Sequence, residues 1–336
     1  MERTMQQLKS MQAAPLNVKV LLTKQRIREW VNEFGTDGVY VSFSGGKDST
    51  VLLHIVREMY PSIPAVFFDT GLEYPGIREF VRTFDNVEWS KPKMTFRQVI
   101  EKYGYPFISK EVSHQVWEVR RYGKEKAKWA YAKFDSNSNY NLRYNGLYSL
   151  EKYVYMLSED APMISHKCCS VMKKSVAKDY EKSSGRVPIV GTMTEESKLR
   201  RARWLKVGCN AFTAKNKISN PMSFWTGQDV LQYIRQNNIP IASVYGDIVN
   251  EDADGMQYDN TLCEMPLRTT GADRTGCMFC GFGCHLEKPG EGRFERMKKT
   301  HPKQYEWIMK DWDAGGLGYK RVIDWLNENG NLHIRY

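Results

Sequence analysis

"GVYVSFSGGKDSTVLLHIV", residues 38–56, is an apolar run that breaks into two glycines, a lysine, an aspartate and a serine, then turns apolar again. Its first part, Val39–Phe43, is short and rich in β-branched and aromatic residues, as a buried strand requires. Its last part runs on to residue 60 with helical spacing. A strand, a Gly-rich turn and a helix start together make an anion site. Gly45 and Gly46 can adopt positive φ, so that successive backbone N–H groups converge on one concavity, and the helix adds its positive dipole end. Lys47 contributes a mobile cation, and Ser44 and Ser49 contribute hydroxyls. The polar turn between buried segments therefore predicts phosphate binding.

Working outward, "IPAVFFDTG" (63–71) reads as a second strand ending in an acid, and "PGIREFVRTF" (75–84) as a helix with proline at its start. "NVEWSKP" (86–92) and "RVPIVGT" (186–192) read as further strands. Strand–helix alternation predicts an α/β fold, a Rossmann-like parallel sheet with helices on both faces and right-handed crossovers. "LNVKVLLTKQRIREWVNEFG" (16–35) has apolar positions at helical spacing and a terminal Gly35. Residues 95–160 read as mostly helical, with 136–146 as a loop, and 225–238 as a helix capped by Thr226. Residues 250–276 read as irregular and 291–328 as helical. The expected organisation is a helical arm over 1–35, an α/β domain over 36–245 with a helical insertion at about 95–160, and a Cys-rich segment with C-terminal helices over 246–336.

The 336 residues carry 49 Lys and Arg against 39 Asp and Glu, a net charge of +10 that suits a phosphate-rich partner or a solubilising surface. No apolar run approaches the length of a membrane span, and "MERTMQQLKS" has no apolar signal core, so a cytoplasmic protein with no membrane partner is expected. The seven cysteines all lie in the second half, which points to metal or redox chemistry rather than disulfides.

"SGGKDS" has neither the G-x-x-x-x-G-K-[ST] nor the G-x-G-x-x-G spacing. It resembles the PP-loop of the adenine nucleotide α-hydrolase superfamily, whose HUP-type fold binds ATP and whose chemistry cuts between the α and β phosphates. "FFDTGLEYPGIREF" (67–80), "YGYPFISKEVS" (103–113) and "IVGTMTEESKLRRARW" (189–204) resemble the phosphoadenosine phosphosulfate reductase-like branch. The resemblance covers roughly residues 36–285. It implies nucleotide binding by Ser42, Ser44, Gly45, Gly46, Lys47, Asp48, Ser49, Asp69, Thr70, Glu73, Gly191, Glu196, Ser197 and Arg200, with Mg2+ beside the ATP. Asp69 and Glu73 sit at the strand edge where open α/β sheets place ligands, and are expected to accept hydrogen bonds from ribose or adenine.

"SHKCCSVMKKS" (165–175) supplies Cys168 and Cys169, and "DRTGCMFCGFGCH" (273–285) supplies Cys277, Cys280 and Cys284. Four thiolates suit zinc or an iron–sulfur cluster. Tandem cysteines with a distant C-x-x-C are awkward for a zinc ribbon. They resemble the [4Fe–4S] pattern of adenylylsulfate reductases and of DNA-phosphorothioation PP-loop proteins, which implies Cys168, Cys169, Cys277 and Cys280 as ligands. Lys167, Lys173, Lys174 and Arg274 would stabilise thiolates, and His166 and His285 would act as hydrogen-bond partners. Cys209 and Cys263 read as inert buried thiols. Cys284 is either a spare thiol or a redox or sulfur-carrying nucleophile.

Three features bear on the reaction. The intact SGGKDS loop favours ATP, whose β,γ-pyrophosphate it would grip. The E-C-G-x-H cysteine of sulfonucleotide reductases has no counterpart in "WLNENGNLHIRY" (325–336). Met193 stands where the reductase segment carries an arginine. The expected activity is AMP-forming adenylation by an ATP pyrophosphatase, coupled to sulfur transfer onto a nucleic-acid or small-molecule acceptor, with Lys47 and Cys284 catalytic. A cysteine desulfurase would serve as sulfur donor. "RRYGKEKAKWAYAKF" (120–134) interleaves cations with aromatics, as phosphate contacts and base stacking would use, or as a solvated helix beside a core would. The alternatives are a sulfonucleotide reductase releasing sulfite and a non-enzymatic nucleotide- and redox-sensing subunit.

Overall fold

The structure is a computed structural model and describes residues 3–251 and 265–336. In chain order, α1 (Met5–Gln12) and α2 (Leu16–Phe34) precede β1 (Val39–Ser42), α3 (Lys47–Met59), β2 (Ala65–Phe68), α4 (Pro75–Arg82) and β3 (Val87–Ser90). There follow α5 (Phe96–Tyr103), β4 (Phe107–Ile108), α6 (Lys110–Tyr122), α7 (Lys128–Tyr131), α8 (Asn139–Arg143), α9 (Lys167–Cys169) and α10 (Ser175–Ser184). Then come β5 (Val187–Val190), α11 (Lys198–Val207), β6 (Asn210–Ala211), β7 (Ile218–Ser219), α12 (Gly227–Gln236), β8 (Ile248–Asn250) and β9 (Leu267–Thr269). The chain closes with β10 (Gly281–Phe282), α13 (Arg293–Thr300), α14 (Pro302–Met309) and α15 (Tyr319–Gly330). Among the described residues no helix is long and apolar enough to cross a membrane.

The chain divides into two compact units. The first comprises Met1–Asp69, Glu73–Lys91 and Val176–Thr275. Its sheet has the order β3-β2-β1-β5-β7-β6, parallel except for β6, which runs antiparallel to β7. Alternate side chains of each strand face opposite layers. On one face the Tyr40 ring lies 4.9 Å from Tyr180 of α10. On the other, Phe43 and Phe67 lie 5.0 and 4.7 Å from Phe84 and Trp89. Val39, Val41 and Phe43 share a core with Ile27 and Trp30 of α2, Val51, Leu52 and Ile55 of α3, and Val230 and Ile234 of α12. The fold is thus α/β, with a mostly parallel sheet flanked by helices. Pro15 separates α1 from α2, Gly35 closes α2 with φ 75°, and Thr226 caps α12, its Oγ1 accepting from Asp229 N.

The second unit comprises Thr70–Leu72, Pro92–Ser175 and Gly276–Tyr336. It is mostly helical. Its two-stranded sheet pairs β4 with β10 in parallel, Phe107 opposite Gly281 and Ile108 opposite Phe282. A Cβ at Gly281 would stand 2.5 Å from the Phe107 ring, so only glycine allows this approach. Tyr319, fully buried, donates from its hydroxyl to the Phe279 carbonyl at 2.6 Å and ties α15 to the C-x-x-C turn. Two local expectations are corrected here. The loop expected at 136–146 contains α8, because Ser138 caps it from its side chain and buried Asn141 donates to three carbonyls of the preceding turn. Within the segment expected to be irregular at 250–276, β9 pairs antiparallel with β8 in the first unit, and residues 252–264 lie outside the described residues.

Candidate functional site

The loop after β1 is built to leave one helix end open. Gly45 has φ 70°, and a Cβ there would meet Val81 Cγ2 at 2.8 Å and Ile77 Cγ2 at 2.9 Å. Gly46, expected to share the positive φ, instead has φ −78° and caps α3 from extended backbone, with no side-chain cap bond. Ser49 Oγ holds the turn by donating to the Gly46 carbonyl at 2.9 Å, and accepts from Ser44 N at 3.2 Å. The start of α12, whose Gly227 also lines this region, is already served, since Glu195 Oε2 accepts from Gly227 N at 2.7 Å. Among the described residues the start of α3 has no side-chain cap bond, which leaves its amides suited to an anion.

Here a cleft of about 730 Å3 opens in the first unit. It lies at the carboxyl ends of β1 and β5, where the sheet order reverses, the place at which open α/β sheets bind ligands. The structure brings together in its walls Ser42, Ser44, Gly46, Lys47, Asp48, Ser49, Gly191, Glu196 and Arg200 of the residues expected from sequence. Gly191 ends β5 so near α3 that a Cβ would stand 3.0 Å from the Asp48 carbonyl oxygen. Gly45 shapes the loop from beneath, and Ser197 acts through local structure, capping α11 by accepting from Arg200 N at 3.2 Å.

The charges in the cleft are balanced. Lys47, largely buried, lies 3.8 Å from Asp273 and 5.1 Å from the centre of the Tyr245 ring. Burial pushes its ammonium below the ordinary lysine value. Burial, with the nearby Glu196 carboxylate, pushes Asp48 up to about 6. Glu196 accepts from Met193 N at 3.1 Å and pairs with Arg200 on its own helix side and with Arg274 at 3.6 Å. Arg268 also lines the cleft. Met193 brings no cation, as its sequence position implied, and is buried. The arginines come instead from α11, from β9 and from the chain after it.

Several expected residues lie elsewhere. Asp69 is buried and pairs with Arg78 at 2.9 Å, so its carboxylate is engaged within the protein. Thr70 accepts from Leu72 N at 3.2 Å, and Glu73 is half-buried ahead of α4; neither lines the cleft. Tyr245, Thr275, Asp273 and Arg268 are cleft residues that the sequence reading missed. Tyr245 ends a short 3-10 turn, Arg268 lies on the three-residue strand β9, and Asp273 and Thr275 follow it, all too short to carry a periodic signal.

The clustered cysteines, Cys168, Cys169, Cys277, Cys280 and Cys284, belong to the second unit. Cys168 and Cys169 lie on α9, which runs into a π-helical turn over Ser170–Lys174, a rare geometry frequent at functional sites. Cys280 N donates to the Cys277 carbonyl at 3.2 Å, and Arg293 Nη1 donates to the Cys280 carbonyl at 2.5 Å. A hydrogen bond from Cys168 pulls the Cys169 thiol down to about 6 against the effect of burial, helped by Lys110, Lys173 and Lys174; the Cys168 thiol is raised in turn. Burial raises Cys280. The charges of Cys277 and Cys280 are felt at Cys168, so the two cysteine segments are neighbours. A soft thiol set beside lysines has the donor chemistry an iron–sulfur cluster requires. Among the described residues, however, no group of three or more His, Cys, Asp or Glu is close enough to hold a metal ion.

Other expectations around the cysteines change. Cys284 is buried, and burial pushes its thiol up to about 12, which is the wrong environment for a thiolate nucleophile. Arg274 stands beside Glu196 in the first unit's cleft, whereas Lys110 and Arg293 attend the cysteines. Lys167 lies 4.0 Å over the Trp117 ring. His166 is pushed down to about 4 by burial and then by His114, and burial lowers His285. Among the described residues the Nδ1 atoms of both histidines have no hydrogen-bond partner. Cys209 is buried and its thiol raised by burial. Cys263 lies outside the described residues.

With the loop, cleft and cysteine segments located, the sequence match is decisive. Residues 38–281 match the phosphoadenosine phosphosulfate reductase domain family. The chain belongs to that family. It is 25% identical over 314 residues to sulfate adenylyltransferase subunit 2 of Marinomonas sp., covering 89% of this chain and 88% of that one. It is 22% identical over 272 residues to an uncharacterized protein of Methanocaldococcus jannaschii, covering 80% of this chain but only 46% of that longer protein. Among solved structures, the phosphoadenylyl-sulfate reductase of Candida auris, in a phosphate complex, aligns over 72% of this chain and 91% of that one, with a TM-score of 0.38 and 14% identity.

Proposed function

We propose that this member of the phosphoadenosine phosphosulfate reductase domain family binds ATP in the first unit's cleft and cuts it between the α and β phosphates. The observation that carries this reading is the uncapped start of α3, with Lys47 buried beside it at the cleft. The β,γ-pyrophosphate would lie against the loop, with Lys47, Ser44, Ser49 and the loop amides stabilising charge on the leaving group. An acceptor oxygen would attack the α phosphorus, forming an adenylate and releasing pyrophosphate. Five carboxylates line the cleft against four cationic side chains, Lys47, Arg200, Arg268 and Arg274. A polyphosphate in so balanced a cleft needs a counter-cation, which supports Mg2+ as its companion. Glu196 would hold Arg200 and Arg274 ready for the substrate. A relative named as a sulfate adenylyltransferase subunit supports adenylyl transfer, and supports a partner subunit for this chain as well.

The adenylated acceptor would then take up sulfur, from a donor such as a cysteine desulfurase, with release of AMP. Cys168, Cys169, Cys277 and Cys280 would hold a [4Fe–4S] cluster once the two segments close around it. The cluster would supply a structural clasp or a place to hold sulfur. The lysines around Cys169 support a thiolate donor set there. The organisation proposed is a helical arm over 1–35, a nucleotide-binding domain over 36–245 and a Cys-rich segment over 246–336.

The test is to purify the protein without oxygen, measure iron and acid-labile sulfide, and offer ATP, adenylylsulfate and 3′-phosphoadenylylsulfate separately with Mg2+ and reductant. AMP and pyrophosphate from ATP support adenylation. Sulfite released from either sulfonucleotide, with ATP untouched, would replace it by a reductase.

A further inference from the structure

One stretch of the second unit, residues 120–148, has a composition that neither its core nor the nucleotide cleft explains. Trp129 of α7 is 82% exposed, and Leu142, Tyr144, Leu147 and Tyr148 are exposed beside α8. Leaving a tryptophan this open to water forgoes most of the stabilisation its burial would give. Exposed apolar groups concentrated in one stretch mark interaction sites more often than chance surface.

The rings in this stretch are arranged in succession. Tyr140 and Tyr144 lie 5.2 Å apart between centroids, and Tyr144 and Tyr148 5.5 Å apart. Cations stand over them: Lys124 is 4.8 Å from the Tyr131 ring, Lys133 5.7 Å from Tyr140, and Arg143 5.7 Å from Tyr144. Part of the positive charge in the stretch is already spent. Arg120 donates to the Ala161 and Pro162 carbonyls, Lys133 pairs with Glu111 at 2.7 Å, and Lys128 is 4.0 Å from Glu125. Arg121, Lys124, Lys126 and Arg143 remain exposed without a carboxylate in ion-pair range among the described residues.

We propose that this surface, centred on Trp129, Tyr144 and Tyr148 with Arg121, Lys124, Lys126 and Arg143 around them, binds single-stranded nucleic acid. Open aromatic faces offer platforms for unstacked bases, and the cations follow the phosphates. A duplex hides its base faces and cannot use the rings. A protein partner fits less well, because lysines are depleted from protein–protein interface cores. The inference rests on the adenylation reading only in making the bound strand the sulfur acceptor; binding itself needs no nucleotide.

The test uses the full chain, without ATP, and fluorescence anisotropy of labelled 20-nucleotide oligothymidylate and oligouridylate at 50 mM salt, with a 20-base-pair duplex as comparison. Binding of either single strand is expected. Log affinity should fall with log salt at a slope of about −3 for four phosphate contacts. The Trp129→Ala/Tyr144→Ala/Tyr148→Ala variant should bind at least about tenfold more weakly, as loss of base stacking requires. Its circular dichroism and its affinity for ATP in the absence of nucleic acid should match the parent. Single-strand binding that survives the triple substitution, binding of the duplex as tightly as the single strands, or no binding to any oligonucleotide would each overturn the assignment. Loss of AMP formation in Lys47→Ala with strand binding intact would separate this surface from the cleft.

Discussion

The Lys47 side chain is 10% exposed while Asp273, whose carboxylate lies 3.8 Å from its ammonium, is 93% exposed. A partner so open to water contributes little, so a polyphosphate can replace it at small cost. Lys47→Ala is therefore expected to lower kcat/KM for ATP by at least about 100-fold, as removal of a group stabilising developing charge does. Its circular dichroism should remain that of the parent. Because burial lowers the Lys47 ammonium, it sheds its proton at a lower pH than a surface lysine. KM for ATP should accordingly rise with pH before a surface lysine would titrate, and Lys47→Arg should remove that rise.

Gly45 and Gly191 fix the loop by different means. Gly45 needs its left-handed φ of 70° and has Val81 and Ile77 under 3.0 Å from a Cβ, whereas Gly191 needs only clearance from the Asp48 backbone. Gly45→Ala combines strain with overlap and should lose about 2–4 kcal/mol of stability in urea unfolding. Gly191→Ala should lose about 1–3 kcal/mol and also weaken ATP binding, since its relief must push the first turn of α3. Equal stability of Gly45→Ala and the parent would count against the loop geometry.

Asp48 gives a signed pH dependence. Its folded value, about 6, lies above the ordinary 3.8, mainly through burial. The favourable contribution of its protonated form is complete below about pH 3.8 and is lost as pH rises through about 6. Asp48→Asn keeps the neutral form at every pH. Its stability should match the parent near pH 4 and exceed it by about 1–2 kcal/mol at pH 8, a discounted value because the carboxylate is only half-buried. Thermal melts at the two pH values, without nucleotide, measure the difference.

In the first unit, Lys19 of α2 reaches Asp229 of α12 at 2.6 Å, and both side chains are at least nine-tenths buried. Asp229 also serves the Thr226 cap, accepting from Thr226 N and Oγ1 at 2.6 and 2.8 Å. Lys19→Met leaves this carboxylate buried with only its cap contacts. A loss of about 3 kcal/mol is expected, the scale of a buried ion pair broken on one side. An unchanged urea midpoint would show that the cap alone satisfies Asp229.

The legible part of the fold was the part with period and punctuation. Val39–Phe43, Ile63–Phe68 and Val187–Val190 are compact apolar runs, and Gly35, Pro75 and Thr226 mark helix ends that the structure keeps. The strands β6 and β7 have two residues each, too few for any alternation to register. The cleft half contributed by the SGGKDS loop and by Gly191–Arg200 was legible because each is one continuous stretch. The half contributed by Tyr245, Arg268 and Asp273 depends on tertiary path. Asp69 looked like a ligand-binding acid because its partner Arg78 becomes a neighbour only once α4 folds back. Likewise the exposure of Trp129 and the burial of Cys284 are facts of packing that composition does not carry.

Adenylation at the first unit's cleft is tested most directly by the bond that breaks in ATP. Protein purified without oxygen should be given ATP labelled separately at the α and γ phosphorus, with Mg2+, a reductant and mixed single-stranded nucleic acid. Label from the α position should appear in the adenylated acceptor or in AMP and label from the γ position in pyrophosphate, both lost in Lys47→Ala. ADP with inorganic phosphate, or intact ATP beside sulfite formed from adenylylsulfate, would contradict it.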